Sequence, residues 1–351
     1  MLRAFKESVK HSEAFRAWQE WRLRRDETER FSGEARVMMA SLPNPEATWK
    51  KYEGDLSRHM FTYPEWLMYG FEGATREAKE AFISRSEAQK WYRRLIRPEI
   101  RALFNLKPLF LHRFAPYIHR RFLAVGPGTT VEELEAALLP GKSYIAKPQA
   151  GTLGRGVHKL CFDSLSHDDY ERLLAEFKAE GTLLEETIAG GDALQSFHPA
   201  SLNTIRVMSA NRGTGRPELF ASFVRFGRGD SVVDNAHAGG IFCTVDIASG
   251  RILSDGMDSE GRVYTEHPDT GLPFRGFQIP QWADIERACT EAHASVDIPF
   301  VGWDVCINAA GEVEFIEGNH AADVDIIQAP LRVGYRERFE KVCRDYIRSK
   351  Q

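Results

Sequence analysis

The sequence predicts an α+β protein, in which a helical N-terminal region precedes a larger part made of helices and mostly antiparallel strands. Three observations predict this class. Apolar and aromatic residues recur at helical spacings over the first hundred residues, as at Phe15, Trp18 and Trp21. Short runs rich in β-branched and aromatic residues follow from residue 143 onward. A turn at Ala310-Gly311 then joins two of these runs into a hairpin.

The N-terminal region, residues 1–104, is expected to be helical, and the glycine and proline in residues 41–63 predict a connector within it. Its aromatic stripe favours a packed core over a ligand site. The basic run at residues 119–121 is expected to be a solvated helix face.

The remaining chain divides into two predicted segments, residues 105–189 and 190–351. In the first, Thr130 and Glu133 form a capping box that starts a helix, and Gly181 ends a second helix near residues 168–180. The expected strands lie at residues 143–148, 157–162, 183–188, 204–211, 218–226 and 241–247, and a further helix at 284–296 precedes the hairpin.

The hairpin carries two acidic residues face to face. With a turn at Ala310-Gly311, Asp304 lies opposite Glu317, with Cβ atoms roughly 5 Å apart. Asn319 follows on the same face, and a three-residue loop would shift this register. Opposed carboxylates repel, but an all-oxygen ligand set suits Mg²⁺, which also takes substrate phosphates as ligands. The alternative is an exposed polar face with no ligand.

Upstream, a predicted strand ends near Lys147 and leads into a loop with Gly151, Gly154 and Gly156. Glycines let backbone N–H groups approach an anion, and the lysine adds a charge that reaches a phosphate. No Gly-Lys-Ser/Thr follows, and the chain continues as a strand, so neither a Walker loop nor a dinucleotide fingerprint is present. Alone, such a loop is also consistent with an ordinary turn.

Together these features resemble the ATP-grasp superfamily over about residues 105–340, in their order and rough spacing. Within it, the chain is most similar to the branch called sugar-transfer associated ATP-grasp. That likeness rests on residues 63–66, 81–84, 201–206, 233–235 with 239–241, 267–271 and 279–282. It implies an ATP-grasp fold, two α+β subdomains that clasp ATP, with the helical N-terminal region added.

The resemblance implies a set of nucleotide and metal ligands. The cofactors would be ATP and Mg²⁺, with Mn²⁺ as an alternative metal. Lys107 is the looser match, because Leu106 stands where the superfamily has an acidic residue. Glu185 and Glu186 could instead be simple strand polarity. The implied nucleotide-binding residues are Lys107, Lys147, Gly151, Gly154, Gly156, Glu185, Glu186, Ile188 and Asp192, and the implied metal ligands are Asp304, Glu317 and Asn319.

Arg206 lies in the middle of an apolar strand, where an unpaired guanidinium is costly to bury, so it needs an anion. The resemblance gives it the transferring phosphoryl group, beside Lys147 and Asn203 as catalytic residues. The alternatives are a salt bridge from Arg206 to Asp304 or Glu317, and a strand cap at Asn203. On the substrate side, the candidates are Asn235, His237, His267 and Arg275, the last as a free cation for a carboxylate.

The implied activity is an ATP-dependent carboxylate–amine ligase that forms an amide through an acyl phosphate and releases ADP and phosphate. Its substrates would be a small-molecule carboxylate and an amine, in polysaccharide modification or natural-product biosynthesis. A phosphotransferase is the first alternative, since only the acceptor chemistry differs. A nucleotide-binding module without turnover is the second.

Composition excludes other classes of function. The 46 Lys and Arg nearly balance the 50 Asp and Glu, so the net charge of −4 recruits neither nucleic acid nor an anionic membrane. Five widely spaced cysteines fit neither a disulfide framework nor a zinc site, and no stretch approaches the roughly 20 apolar residues of a membrane span. The expectation is a cytoplasmic protein whose oligomeric state, a homodimer included, stays open.

Overall fold

The computed structural model describes residues 13–151, 156–162, 165–230 and 239–351, apart from the side chains of residues 13–17, 19, 20 and 192. Within these residues, seven α-helices and one 3₁₀ turn precede the first strand. They are α1 (Glu13–Met39), α2 (Pro45–His59), α3 (Tyr63–Met68), α4 (Arg76–Glu80), α5 (Arg85–Leu95), α6 (Pro98–Asn105), α7 (Lys107–Arg113) and the 3₁₀ turn Ala115–Tyr117.

The stretch that was expected to be a connector contains helix α2. Asn44 caps it by accepting a hydrogen bond from the Ala47 N–H at 3.2 Å, and Pro45 occupies its first position. Proline fits there because its missing N–H is not needed in the first turn. The expectation was therefore wrong: this proline starts a helix.

The smaller sheet has four strands, each antiparallel to its neighbours, in the order β1-β4-β2-β3. Helices α8 (Val131–Ala137) and α9 (His167–Glu180) pack on it around a core of its own. The predicted capping box at Thr130 and the αL cap at Gly181 are both present. Its strands are β1 (Phe122–Ala124), β2 (Ser143–Pro148), β3 (His158–Cys161) and β4 (Thr182–Glu186).

The larger sheet has seven antiparallel strands in the order β11-β10-β5-β6-β7-β8-β9. They are β5 (Thr204–Ala210), β6 (Glu218–Phe226), β7 (Ile241–Val245), β8 (Gly256–Met257), β9 (Val263–Tyr264), β10 (Phe300–Ile307) and β11 (Val313–Asn319). The associated helices are α10 (Asp192–Gln195), α11 (Trp282–Ala294), α12 (Asp325–Gln328) and α13 (Arg336–Arg348).

The N-terminal helices share one hydrophobic core with the larger sheet. Tyr92 of α5 contacts Phe300 of β10 and Phe339 of α13 through its ring. The buried Gln328 side chain donates hydrogen bonds to Ile83 O at 2.9 Å and Tyr69 Oη at 3.1 Å. The two cores thus group the chain differently from the three predicted segments, and that division stays a prediction.

No helix in the part of the chain that the structure describes is long and apolar enough to cross a membrane.

Candidate functional site

A row of three charged residues crosses neighbouring strands of the larger sheet. Glu317 on β11 is opposite Asp304 on β10, and Asp304 is opposite Arg206 on β5. Directly opposed residues share one face of a sheet, so all three side chains lie on the same side. Strand pairing therefore sets the order of charges as acid, acid, base.

The predicted pairing of Asp304 with Glu317 is present, but the turn differs from the prediction. The hairpin loop has three residues, because Asn308 N–H donates to Glu312 O at 2.9 Å and Ile307 lies opposite Val313. Continued regularly, this register would place Asp304 opposite Ile316. A β-bulge between the Asp304 and Val305 pairs shifts β11 by one residue and brings Glu317 into place.

Arg206 and Asp304 form a buried ion pair. The guanidinium Nη2 donates to Asp304 Oδ2 at 2.8 Å, Nε binds the other carboxylate oxygen, and Arg225 Nη2 lies 3.2 Å from Asp304 Oδ1. Burial alone would raise the pKa of Asp304, but the two guanidinium groups outweigh it and hold the pKa at about 2. The alternative for Arg206, a salt bridge with Asp304, is thus realised.

Glu317 lies at the open end of the row and is exposed to solvent. Partial desolvation by the surrounding protein raises its pKa, and the nearby charge of Asp304 raises it further. The Asn319 amide nitrogen lies 3.5 Å from Glu317 Oε1. Excess negative charge beside an open carboxylate and an amide suits a divalent cation with oxygen ligands.

Within the described ranges, no three His, Cys, Asp or Glu side chains lie close enough together to hold a metal ion by themselves. Mg²⁺ commonly takes only one or two carboxylates and completes its shell with water and phosphate oxygens. The donor set of Asp304, Glu317 and Asn319 fits that pattern, with Asp304 shared with Arg206.

Two lysines lie near this row, Lys147 on β2 of the smaller sheet and Lys107 at the start of helix α7. Lys147, at the end of β2, forms an ion pair with Glu185 of β4. Lys107 Nζ donates to Gly151 O at 2.8 Å and to Pro148 O at 3.2 Å. Burial lowers the pKa of Lys107, the positive charge of Lys147 lowers it further, and Glu317 acts in the opposite direction.

The predicted nucleotide-binding residues on and after β4 differ in exposure. Glu185 is buried, and its carboxylate is paired with Arg120 and Lys147. Glu186 pairs with Lys142 at 3.0 Å, and Ile188, half-buried, follows the end of β4. Gly151 and Gly156 both have positive φ, 115° and 70°, in the connection between the paired strands β2 and β3.

Three predicted site residues have other roles. Asn203 is buried, and its amide donates to Leu194 O at 2.9 Å and His198 O at 3.0 Å, so it ties loops together. His267 is fully buried with its Nε2 2.7 Å from Gly227 O. Arg275 is not a free cation.

The Arg275 guanidinium pairs with the Asp255 carboxylate, with distances of 2.6 and 3.2 Å, and also donates to Leu253 O at 2.9 Å. A substrate carboxylate would have to compete with that pair. In this structure Asn203 and His267 are hydrogen-bonded within the fold and Arg275 is paired, and the assignments of Asn203 to catalysis and of His267 and Arg275 to the substrate stay predictions. Gly154, Asn235, His237 and the Asp192 side chain lie outside the described residues.

Three arginines at the site were missed by sequence reasoning, one of which is Arg225 beside Asp304. Arg120 is buried between Glu185 and Glu314, whereas its basic run was expected to be a solvated helix face. The available signal was the pair of acids at buried strand positions, which need a cation. Arg85, from α5, reaches Asp323 Oδ1 at 2.7 Å, and Asp323 Oδ2 is 3.3 Å from Arg206 Nη1.

Acidic groups and an arginine thus share one face of the larger sheet, and Lys147 on β2 and Lys107 on α7 lie near them beside a glycine-containing connection. The family model described as "Sugar-transfer associated ATP-grasp" matches residues 117–344, and the chain belongs to this family. Its fold is accordingly the ATP-grasp fold, whose members are typically ATP-dependent ligases.

Solved structures with a distant likeness include three ligases or synthetases. PsnB, an ATP-grasp ligase complexed with a minimal precursor, is 16% identical with a TM-score of 0.44, over 76% of this chain and 68% of that one. D-cycloserine synthetase DcsG is 12% identical with a TM-score of 0.40, over 82% of each chain. D-alanine-D-alanine ligase from Coxiella burnetii is 11% identical with a TM-score of 0.42, over 71% and 59%. No curated protein matches in sequence.

Proposed function

We propose that this protein is an ATP-dependent carboxylate–amine ligase acting through an acyl phosphate, in polysaccharide modification or natural-product biosynthesis. The observation that carries the proposal is the strand-paired row of Glu317, Asp304 and Arg206, with Lys147 of the smaller sheet and Lys107 of helix α7 near it. This arrangement separates a cation-binding end from a phosphate-binding end. Family membership supports the ATP-dependent part.

Lys107 and Lys147 are the proposed phosphate-binding residues. Their charges are close enough for Lys147 to lower the pKa of Lys107, so an anion between them would relieve the repulsion. Lysine suits this role as a compact charge on a flexible stem. The ion pair of Lys147 with Glu185 holds its ammonium at the end of β2.

Glu317, Asp304 and Asn319 would hold Mg²⁺, or Mn²⁺, which would supply positive charge to neutralise the phosphate oxygens. Glu317 contributes the open carboxylate, and its pKa is raised by desolvation first and by the negative charge of Asp304 second. Asp304 keeps its own negative charge through the arginines that bind it. Arg206, at the other end of the row, would place a buried positive charge near the group being transferred.

The proposed reaction has two steps. An oxygen of the substrate carboxylate bonds to the γ-phosphorus of ATP while the bond to ADP breaks. The amine nitrogen then bonds to the acyl carbon, phosphate leaves with the acyl–oxygen electron pair, and the nitrogen loses a proton. These steps need no nucleophilic side chain, and the residues act by position and charge.

The test is ADP release from ATP and Mg²⁺ across a panel of carboxylic acids, with and without hydroxylamine. We expect an acid-dependent hydroxamate that is lost in Glu317→Gln and kept in Glu337→Gln, a matched change at an exposed residue of α13. ADP release with a stable phosphorylated product and no hydroxamate would replace this proposal by the phosphotransferase alternative. Absence of ATP binding would reject both.

A further inference from the structure

Arg120 connects the two sheets through one buried side chain. On the smaller sheet, its Nε donates to Glu185 Oε1 at 2.9 Å. On the larger sheet, its Nη1 donates to Glu314 Oε1 at 2.9 Å. Arg120, Glu185 and Glu314 are all less than a tenth exposed. One guanidinium is thus anchored to strand β4 and strand β11 at the same time.

The contacts of Arg120 on β11 include the backbone of the bulge. Nη1 donates to Phe315 O at 2.7 Å, and Nη2 donates to Ile316 O at 3.2 Å. A bulged residue leaves the regular ladder, so its backbone needs partners from elsewhere. Ile316 is the residue that the bulge inserts, and the register of Glu317 opposite Asp304 depends on it.

The contacts of Arg120 on β4 organise the lysine. Arg120 binds Oε1 of Glu185, and the other carboxylate oxygen, Oε2, pairs with Lys147. A carboxylate fixed on one side by an arginine presents its second oxygen in a defined direction. The ammonium of Lys147 is therefore placed through Glu185 by the same guanidinium that binds the bulge.

We infer that Arg120 is a positioning residue that sets the cation-binding and phosphate-binding ends of the site relative to each other. The inference rests on the proposed function for the roles of Glu317 and Lys147. Arg120 itself would contact neither ATP nor the metal ion. It acts through Glu185 on Lys147, and through the Ile316 bulge on Glu317.

The geometry requires the fork of an arginine. Two acids and two carbonyls are bound from three nitrogens in one plane, which a lysine ammonium on a flexible stem does not reproduce. Arg120→Lys keeps the buried positive charge and removes the fork. Arg121→Lys is a matched control, because the neighbouring Arg121 is exposed.

The first measurement is amide hydrogen exchange of the full chain without nucleotide. In Arg120→Lys we expect exchange about tenfold faster in β4 and β11, with α13 unchanged, because only segments that lose an anchor open locally. Arg121→Lys should match the unchanged protein. Equal acceleration in all three elements, or none in β4 and β11, would overturn the inference by showing general stabilisation or no role.

The second measurement is the affinity for ATP with Mg²⁺ by titration calorimetry. Arg120→Lys should weaken it by about tenfold or more, as loss of supporting contacts does at metal sites. A folded variant with unchanged affinity would overturn the inference. If the unchanged protein binds no ATP, the proposed function fails, while the exchange result still decides whether Arg120 positions both strands.

A third variant covers the case in which Arg120→Lys does not fold. Glu314→Gln loosens only the anchor on the larger sheet, so exchange should accelerate in β11 and stay unchanged in β4. Faster exchange in both strands, or in neither, would contradict the claim that Arg120 binds each sheet through a separate acidic partner.

Discussion

The two halves of the site hold their charges in different ways. On the larger sheet, Arg206 and Asp304 are buried and neutralise each other. Lys147 of the smaller sheet and Lys107 of helix α7 are only half-buried, and Lys147 lowers the pKa of Lys107. We therefore expect the buried pair to stabilise the fold and the lysines, under the proposed function, to bind an anion. The following variants test that distinction.

Arg206→Met should cause the largest loss of stability. It leaves the Asp304 carboxylate buried with only part of its compensating charge, and breaking a buried pair costs about 3–5 kcal/mol. Arg225, 3.2 Å from Asp304 Oδ1, should keep the loss near the lower end of that range. Urea unfolding of the variant and the unchanged protein measures the difference.

The matched control removes both partners. Arg206→Met combined with Asp304→Leu should recover most of the lost stability, because the Asp304 carboxylate is removed together with its main partner and Arg225 keeps its hydrogen bonds to Thr204 Oγ1. A single Arg206→Met variant as stable as the unchanged protein would show that the ion pair is not part of the fold. The contrast between the two halves of the site would then disappear.

The larger sheet should also respond to acid through His293. This histidine of α11 is buried, with Nδ1 2.8 Å from Ser209 Oγ on β5, and burial lowers its pKa to about 4. Between pH 6.5 and 4, the unfolded chain binds a proton at this residue and the folded chain does not. Its contribution to stability should therefore fall by up to about 3 kcal/mol as pH decreases through that range.

Urea unfolding at a series of pH values checks this slope. His293→Gln should be less stable at pH 7 but should show a flatter pH dependence over the same range. His167→Gln, at an exposed histidine of α9, is the control and should not flatten it. Parallel curves for His293→Gln and the unchanged protein would rule out His293 as the source.

Local pattern predicted most strands of both sheets but not the short strands β1, β8 and β9. Strand β6 was expected at residues 218–226 and is observed as Glu218–Phe226, because alternating and β-branched residues specify a strand locally. The Asp304–Glu317 pair was predicted from a two-residue turn, yet it arises from a three-residue loop and a bulge. Here one error in the loop was cancelled by an irregularity that no local pattern signals.

The sequence offered Asp304 as one alternative partner of Arg206, but it did not indicate the partners of Arg120 and Arg85. Arg120 binds Glu314 across 194 positions of the chain, and Arg85 binds Asp323 across 238. Which distant acid meets which arginine depends on how the sheets and helices pack. The same limit explains Arg275, whose partner Asp255 is 20 positions away on a different turn.

Lys107→Met tests whether the proposed phosphate-binding lysines serve a ligand and not the fold. Removing one of two repelling charges should change stability by less than about 1 kcal/mol, but should raise the KM for ATP about tenfold, or 1.4 kcal/mol. Steady-state kinetics and urea unfolding give both values. Lys142→Met is the control, since that exposed lysine pairs with Glu186 at the surface.

A large loss of stability in Lys107→Met, with an unchanged KM, would contradict the assignment of this lysine to the ligand. Lys107 would then stabilise the fold, as the buried Arg206–Asp304 pair does.

Arg275→Ala should have the smallest effect, because its ion pair with Asp255 is at the surface. The arginine side chain is 59% exposed, and exposed pairs contribute about 0–1 kcal/mol. We expect unchanged ligase kinetics and a decrease in stability below about 1 kcal/mol, with Asp255→Ala giving a similar decrease. A KM for the carboxylate substrate that rises in Arg275→Ala but not in Asp255→Ala would restore Arg275 as a substrate cation. It would also show that a surface pair can open for a ligand, which the buried Arg206–Asp304 pair cannot do at comparable cost.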